Sequence, residues 1–334
     1  MSKDLEIEAI ILQMDVIARK MIKNYAKIVN IKPQANSFQN HDLFSDDETF
    51  NGDKILEELD GLNELFTSIN NRNHFEFARN FKSYELFFDL IIIEFQSLFT
   101  ILFFHFNNDE NKFEGFEKES FTFKSVRLLC YLLNTLINNS ISMKILIKDG
   151  FNFQVNLIFR NSIEIMDVCF ASITNEVFYE NYVLQPDSEH DIKKKWINVR
   201  PSNIDKIIKD EFNKISELQE YWNILRETKE SLYRKTSSFV HGNSVRIFQN
   251  TFSEKINDDD NLTVNQFGLI SKDLKESFFE LIIYSKLFLD SIIILLVNNH
   301  KLAFNRFGEE SKYHIYLSCV NKYYLKDLIK EHYY

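Results

Sequence analysis

Proline and glycine are nearly absent from this chain, and their scarcity constrains the fold more than any other feature of the sequence. The 334 residues include 3 prolines and 7 glycines. Because proline breaks helices and glycine supplies many turns, a chain with so few of both favours long helices joined by few loops. Hydrophobic residues make up 45% of the chain, which is enough to bury a large core. We therefore expect an all-α multi-helix bundle.

Apolar residues recur with helical spacing along most of the chain, and this periodicity predicts where the helices lie. Helices are predicted over residues 3–30, 54–70, 86–106, 121–138, 142–182 (with an interruption at Gly150), 202–214, 215–240 and 271–299, with one or two shorter helices after the last. Polar loops are predicted over residues 34–53, 107–120, 184–191 and 254–268, and a short strand over 245–252. The loop at 107–120 divides the chain into an N-terminal helical region, residues 1–120, and a second helical region, residues 121–334.

The sequence carries no pattern typical of export, membrane insertion or metal binding. The three cysteines, Cys130, Cys169 and Cys319, are isolated from one another, so we expect no disulfide framework, no zinc site and no cofactor. The N-terminus lacks the basic segment and cleavage site of a secretory signal, which favours a cytoplasmic location. Two apolar stretches, residues 86–106 and 281–297, approach the length of a membrane span, but each has two charged residues near its middle. We expect both to be core helices.

The chain is acidic overall and basic in one segment. Its net charge is −10, which argues against a surface coated for non-specific nucleic-acid binding. Residues 191–246, however, contain twelve basic and eight acidic side chains. Two interpretations of this segment remain open: a solvated surface on which acids and bases are interleaved, or a patch that faces RNA.

A strip of charged residues lies within an apolar helix, in LIFRNSIEIMDVCF, residues 157–170. Arg160, Glu164 and Asp167 fall within about 60° of one another, because steps of four and seven residues return near the starting azimuth of a helix. Charges on a helix that is otherwise apolar are expected to be paired or to belong to a site. The strip therefore has two interpretations: an internal salt bridge that holds two helices in register, or a role in catalysis.

A second polar stretch, SLYRKTSSFVHGNS at residues 231–244, ends a predicted helix on a histidine followed by a glycine. Arg234 and His241 are seven residues apart, so on a continuous helix they lie about 20° apart in azimuth and about 10 Å apart along the axis. Ser238 lies between them on the same face. Gly242 fits the left-handed position at which many helices end.

The position of His241 suits either catalysis or helix termination. The negative end of the helix dipole favours the protonated imidazole. A histidine that titrates near neutral pH, with a permanent cation two turns away, suits acid–base cleavage of a phosphodiester: the imidazole moves a proton and the guanidinium stabilises the charged phosphate. The alternative is that His241 only closes the helix, since the same dipole favours histidine in any last turn.

The spacing of Arg234 and His241 is similar to the R-x4–6-H signature of the HEPN superfamily, a group of helical proteins. Many of its members are metal-independent ribonucleases of toxin, abortive-infection and CRISPR systems. The combination of FRNSIE, which begins at residue 159, with YRKTSSFVHGN, which begins at residue 233, also resembles bacterial helical proteins related to abortive-infection families. The resemblance covers residues 145–250.

This resemblance implies a HEPN-like domain over residues 121–334 and a role for each residue of the two motifs. Arg234 and His241 would be catalytic and would cluster with their counterparts in a second subunit, so that a homodimer forms one composite site. RNA would be cleaved through attack of its own 2′-hydroxyl. The supporting residues would be Arg160, Glu164, Tyr233 and Ser238.

Two functions of different classes follow as expectations. The first is a metal-independent endoribonuclease of a bacterial antiviral defence or toxin system, acting on RNA as a homodimer and switched on by a protein or nucleotide activator. The second is a non-catalytic helical binding or regulatory protein of a defence system, in which His241 caps a helix and the charged strip is structural. Binding of a small nucleotide signal between helices is a third expectation.

Overall fold

The structure is a computed structural model that describes residues 52–107, 120–185, 188–240, 252–255, 258–264, 270, 272–302 and 308–333. The helix predicted over residues 3–30 and the predicted catalytic residue His241 lie outside the described residues. The strand predicted over 245–252 also lies outside them, apart from Phe252.

Helices make up most of the described chain, which confirms the all-α prediction. The elements are α1 (Gly52–Asn80), α2 (Lys82–Asn107), α3 (Phe121–Lys148), α4 (Asn152–Thr174), α5 (Glu176–Val183), α6 (Glu189–Val199), α7 (Pro201–Phe212), α8 (Ser216–Val240), β1 (Phe252–Lys255), β2 (Asp258–Val264), α9 (Lys272–His300) and α10 (Gly308–Tyr333).

The predicted interruption at Gly150 is confirmed. Helix α3 ends at Lys148, Gly150 has a φ of 77°, and α4 begins at Asn152. Glycine adopts this left-handed conformation without the steric cost that a Cβ atom imposes. The chain can therefore reverse within three residues, so that α3 and α4 pack against each other.

Two helices extend beyond their predicted ends. Near each predicted end lies an asparagine, a residue that often ends helices, and a tertiary contact satisfies the hydrogen-bonding capacity of its side chain. Helix α1 continues past the run of asparagine residues near 70, where buried Asn73 donates a hydrogen bond of 2.9 Å from its side chain to the Asp149 carbonyl oxygen. Helix α3 continues past residue 138, where the Asn139 side chain donates to Asn161 of α4 at 2.9 Å. Each side-chain amide bonds to another part of the chain, so it does not disrupt the backbone hydrogen bonds of its own helix.

Two predicted loops contain regular structure. Helix α6 begins inside the polar segment 184–191, and the Ser188 side chain caps it by accepting a hydrogen bond from the Asp191 backbone N–H at 3.2 Å. The loop predicted over 254–268 was also wrong in part, because β1 and β2 form an antiparallel hairpin in which Phe252 faces Val264. Strand β2 begins with three aspartates, a composition that gives no strand signal.

Helix α4 occupies a central position in the packing and positions the site. It packs against α3, α7, α8 and α9, while α2 packs against α3, α9 and α10. The core that these helices enclose is rich in phenylalanine; for example, Phe170 of α4 packs edge-on against Phe212 of α7 and Phe288 of α9.

The chain divides into two compact units, Met1–Glu64 and Leu65–Tyr334. In the first unit the described residues are those at the start of α1. The second unit contains described helices from both sides of residue 120, and their buried side chains form one hydrophobic cluster from Phe77 to Leu328.

Among the described residues, one helical segment, Lys82–Phe104 of α2, is long and apolar enough to cross a membrane. Half of its most apolar part is buried inside the protein. The buried half includes Glu94, which forms an ion pair with Lys286 of α9. This packing is consistent with the predicted core helix.

Candidate functional site

The charged strip on α4 lies against α8, and its outer end contacts a predicted supporting residue. The Arg160 Nε donates a hydrogen bond of 2.9 Å to Glu164 Oε1 one turn later. The Arg160 guanidinium also lies 5.2 Å from the centre of the Tyr233 ring on α8, within the range of a cation–π contact. The structure thus brings together three of the four predicted supporting residues, Arg160, Glu164 and Tyr233.

The inner end of the strip is a buried ion pair between helices. The Lys229 Nζ of α8 lies 2.6 Å from Asp167 Oδ2 and 2.5 Å from Asp205 Oδ1 of α7. The second oxygen of Asp167 accepts a hydrogen bond of 2.7 Å from the Tyr284 hydroxyl of α9. These contacts hold α4, α7, α8 and α9 together, which is the geometry expected for a salt bridge that fixes helices in register.

Burial and the ion pair set the protonation of this cluster. Burial raises the pKa of Asp167, an effect that the charge of Lys229 and the hydrogen bonds from Lys229 and Tyr284 oppose. Burial acts to lower the pKa of Lys229, but the charges of Asp167 and Asp205 outweigh it and the pKa is raised. Lys229 therefore keeps its proton at neutral pH and acts as a cation rather than as a base.

The two tyrosines of the site are hydrogen-bond donors at neutral pH. Burial, followed by the negative charge of Asp167, raises the pKa of Tyr233 and of Tyr284. For Tyr284 the hydrogen bond to Asp167 acts in the same direction, and for Tyr233 a hydrogen bond to Glu164 does so. Neither phenol loses its proton in the physiological range, so both can donate hydrogen bonds to the neighbouring carboxylates.

A cavity of about 250 Å³ opens beside this cluster, between α4, α7, α8 and α9. Its aromatic lining consists of Phe170, Trp222, Tyr233 and Tyr284. Its charged lining consists of Asp167, Asp205, Arg226, Lys229 and Glu230. An apolar cavity with a few convergent polar groups is the usual form of a small-molecule site.

The predicted catalytic arginine lies on the same helix but outside the cavity. Arg234 is exposed, and it makes no hydrogen bond or ion pair with any residue that the structure describes. Helix α8 is continuous to Val240, one residue before His241. The Ser238 side chain and His241 are outside the described part, so the contacts between Arg234, Ser238 and His241 remain a prediction.

The C-terminal half of α8 is anchored to α9 through Glu280. The Ser231 hydroxyl donates a hydrogen bond of 2.7 Å to Glu280 Oε1, and the Lys235 ammonium donates to the same oxygen at 3.1 Å. Lys235 also lies 3.5 Å from Glu276. Lys235 thus turns toward α9, whereas the adjacent Arg234 faces solvent.

Several residues of the site were not identified from the sequence, among them Asp205, Trp222, Lys229 and Tyr284. Lys229 precedes Tyr233 by four residues, so the two share a helix face, and this spacing could have indicated it as a partner for the strip on α4. Asp205 and Tyr284 come from other helices. No local pattern marks them, because their proximity to Asp167 arises only from helix packing.

Within the described ranges, no group of three or more His, Cys, Asp or Glu side chains has the arrangement of a metal site. Comparisons with protein-family models, with curated protein sequences and with solved structures find no match for this chain. An all-α architecture hosts many unrelated activities, so it does not specify a function. The function is therefore inferred from the chemistry of the residues themselves.

Proposed function

We propose that this protein is a metal-independent endoribonuclease of a bacterial antiviral defence or toxin system, with a HEPN-like domain over residues 121–334. Arg234 would bind the scissile phosphate and His241 would transfer protons. The observation that carries the proposal is the continuous helix α8, which presents an exposed Arg234 and ends at Val240, directly before His241. A guanidinium exposed to solvent on a rigid helix is suited to a phosphate ligand.

The proposed reaction uses the RNA's own 2′-hydroxyl as nucleophile. One imidazole removes the proton of the 2′-hydroxyl, and the oxygen attacks the adjacent phosphorus. The bond from phosphorus to the 5′-oxygen breaks, and a protonated imidazole gives a proton to that oxygen. The products are a 2′,3′-cyclic phosphate and a free 5′-hydroxyl. A homodimer supplies two copies of His241, one for each proton transfer, and two copies of Arg234 to stabilise the charged phosphate.

The described contacts give α8 a fixed position relative to its neighbours, which this mechanism requires. On one side, Lys229 and Tyr233 fasten α8 to the strip on α4. On another, Ser231 and Lys235 fasten it to Glu280 of α9. Because a displacement of about 1 Å at a catalytic group can cost about 100-fold in rate, such anchoring is the role proposed for the supporting residues on α4 and α8.

The test is cleavage of a mixed RNA pool by the purified full-length chain in EDTA. We expect cleavage that leaves 2′,3′-cyclic phosphate ends, and we expect Arg234→Ala and His241→Ala each to slow it by about 100-fold or more. Lys209→Ala, which removes an exposed cation from α7, is the matched control and should cleave like the parent. Both variants should have the thermal midpoint of the parent.

Either of two results would refute the proposal. The first is cleavage that persists at the parental rate in both variants. The second is a parent that leaves RNA intact in vitro and is also harmless when expressed in cells under phage challenge, where a protein or nucleotide activator would be present.

A second candidate function is a non-catalytic binding or regulatory protein of a defence system. The observation that favours it is the cavity beside Asp167, Lys229 and Asp205. In this alternative the ion pairs of the charged strip hold the helices together. A small molecule that binds between the helices is the signal to which the protein responds. Loss of function would then follow substitutions in the cavity and not His241→Ala.

A further inference from the structure

The charges around the cavity do not balance. Lys229 is held between two carboxylates, Asp167 and Asp205. Arg226 and Glu230, which also line the cavity, lie 3.8 Å apart on successive turns of α8 and cancel each other. The described side chains that line the cavity therefore carry a net charge of −1 when all are ionised.

Of the two carboxylates that hold Lys229, Asp205 is the one that a ligand can reach. Both oxygens of Asp167 have partners, Lys229 on one and Tyr284 on the other, and its side chain is 6% exposed. The Asp205 side chain is 45% exposed, and Lys229 contacts its Oδ1. A carboxylate fixed in place by a neighbouring cation and still open to solvent is preorganised to accept a further donor.

The apolar lining selects the shape of the ligand. Trp222 of α8 is partly buried and packs against Phe212, with ring centres 6.2 Å apart, so its indole is held as a wall of the cavity. Flat apolar groups stack on such rings, and their faces attract positive charge. The volume of about 250 Å³ is below the roughly 300–1,000 Å³ typical of drug-sized ligands, so the ligand is small.

We infer that this cavity binds a small organic cation, a single aromatic ring that carries a protonated amine or amidine. The ring packs among the aromatic side chains and the positive group pairs with Asp205. An anion of the same shape should bind weakly because the cavity lining repels it. A neutral analogue should also bind more weakly than the cation, because it loses hydration on entering the cavity and forms no ion pair in return. The inference does not depend on ribonuclease activity.

Three probes of nearly the same shape test the charge requirement: benzamidine is a cation, benzamide is neutral and benzoate is an anion. Trp196 and Trp222 are the two tryptophans of the chain, so in a Trp196→Phe background the fluorescence reports on Trp222 in the cavity wall. We expect benzamidine to change this fluorescence saturably. Benzamide should bind at least tenfold more weakly, and benzoate more weakly still.

Substitution of Asp205 tests the anchor. Asp205→Asn keeps the shape and removes one negative charge, and we expect it to weaken benzamidine binding at least tenfold by calorimetry. Asp210→Asn is the control, since Asp210 lies on the same helix and is exposed outside the cavity; it should bind like the parent. If Asp205→Asn fails to fold, Trp222→Ala replaces it, and its loss of the cavity wall should also weaken binding at least tenfold.

Three outcomes would overturn the inference: no benzamidine binding at millimolar concentration, equal binding of all three probes, or parental affinity in folded Asp205→Asn (in Trp222→Ala, where that variant replaces it). These measurements contain no RNA. Their failure therefore leaves the ribonuclease proposal unaffected, and loss of RNA cleavage in Arg234→Ala leaves this inference unaffected.

Discussion

Lys229 and Lys286 are each held between two carboxylates, but the first lies beside a cavity and the second is enclosed by protein. Lys286 of α9 lies 2.9 Å from Glu94 of α2 and 2.6 Å from Asp290. Its side chain is 1% exposed, whereas that of Lys229 is 13% exposed. At the centre of each cluster one lysine lies between two carboxylates, and the clusters differ in access to solvent and in total charge.

The enclosed cluster satisfies its own charges. Lys322 of α10 lies 3.3 Å from the second oxygen of Asp290, so that two cations face two carboxylates. The Ser318 hydroxyl accepts a hydrogen bond of 2.9 Å from Lys286, and the Asn321 side chain donates to Glu94. A buried charge network of this kind holds helices together when its partners are complete.

The open cluster carries one more negative than positive charge among its described residues, and one of its carboxylates reaches solvent. A buried lysine between two carboxylates therefore occurs in this protein both beside a cavity and inside the core. Charge balance and access distinguish the two clusters, and for these two reasons we place the proposed ligand at the open cluster.

Replacement of Lys286 should destabilise the protein more than any other substitution in the two clusters. Lys286→Met leaves Glu94 and Asp290 buried without their central cation, and we expect the free energy of unfolding to fall by about 3–5 kcal/mol. Urea denaturation at pH 7 measures it. The control is Lys312→Met, which removes a lysine that is 72% exposed and pairs with Glu309, and it should change stability by less than about 0.5 kcal/mol. A loss below about 1 kcal/mol in Lys286→Met would contradict the structural role of the enclosed cluster.

Replacement of Lys229 should have a smaller effect, because only one of its carboxylates is deeply buried. In Lys229→Met, Asp205 can be hydrated while Asp167 keeps the hydrogen bond from Tyr284, and we expect a loss of about 2–3 kcal/mol. The same denaturation series measures it. If Lys229→Met cost as much as Lys286→Met, the proposed contrast between an open and an enclosed cluster would be wrong.

Acid should destabilise the enclosed cluster through His314 of α10. Burial, with a smaller contribution from the charge of Lys286, lowers the pKa of His314 from 6.5 to about 4. The unfolded chain therefore takes up a proton between pH 6.5 and about 4 that the folded chain does not. The contribution of neutral His314 to the free energy of unfolding is therefore fully present above pH 6.5 and is lost as the pH falls. Between pH 7 and pH 5 this group alone should lower the free energy of unfolding by about 2 kcal/mol.

The measurement is urea denaturation of the parent and of His314→Gln at both pH values. We expect the variant to lose about 2 kcal/mol less than the parent over this interval, whatever its stability at pH 7. An identical loss in the two proteins would show that His314 is not buried in its neutral form.

Local properties of the sequence determined the fold class, most helix positions and the arrangement of the charged strip. The shortage of proline and glycine left few places for a helix to end, and Gly150 marked one of them. Arg160, Glu164 and Asp167 share a face because helical geometry alone relates residues four and seven positions apart. Arg160 and Tyr233 belong to two motifs that the sequence pairs only by resemblance, and their contact was found in the structure.

Only the tertiary structure decided which partners those side chains have. Asp167 meets Lys229 and Tyr284, which are 62 and 117 residues away along the chain, and no periodicity extends over such separations. The partner of Asn73 was also decided by the tertiary structure. Its side chain donates a hydrogen bond to the Asp149 carbonyl oxygen, and helix α1 continues through a segment whose sequence predicts a helix end. Helical spacing depends on the local backbone, whereas ion pairs, cavities and charge balance depend on how distant helices pack. The sequence therefore predicted the charged strip, and the packing of four helices placed its inner end, Asp167, in the lining of a cavity.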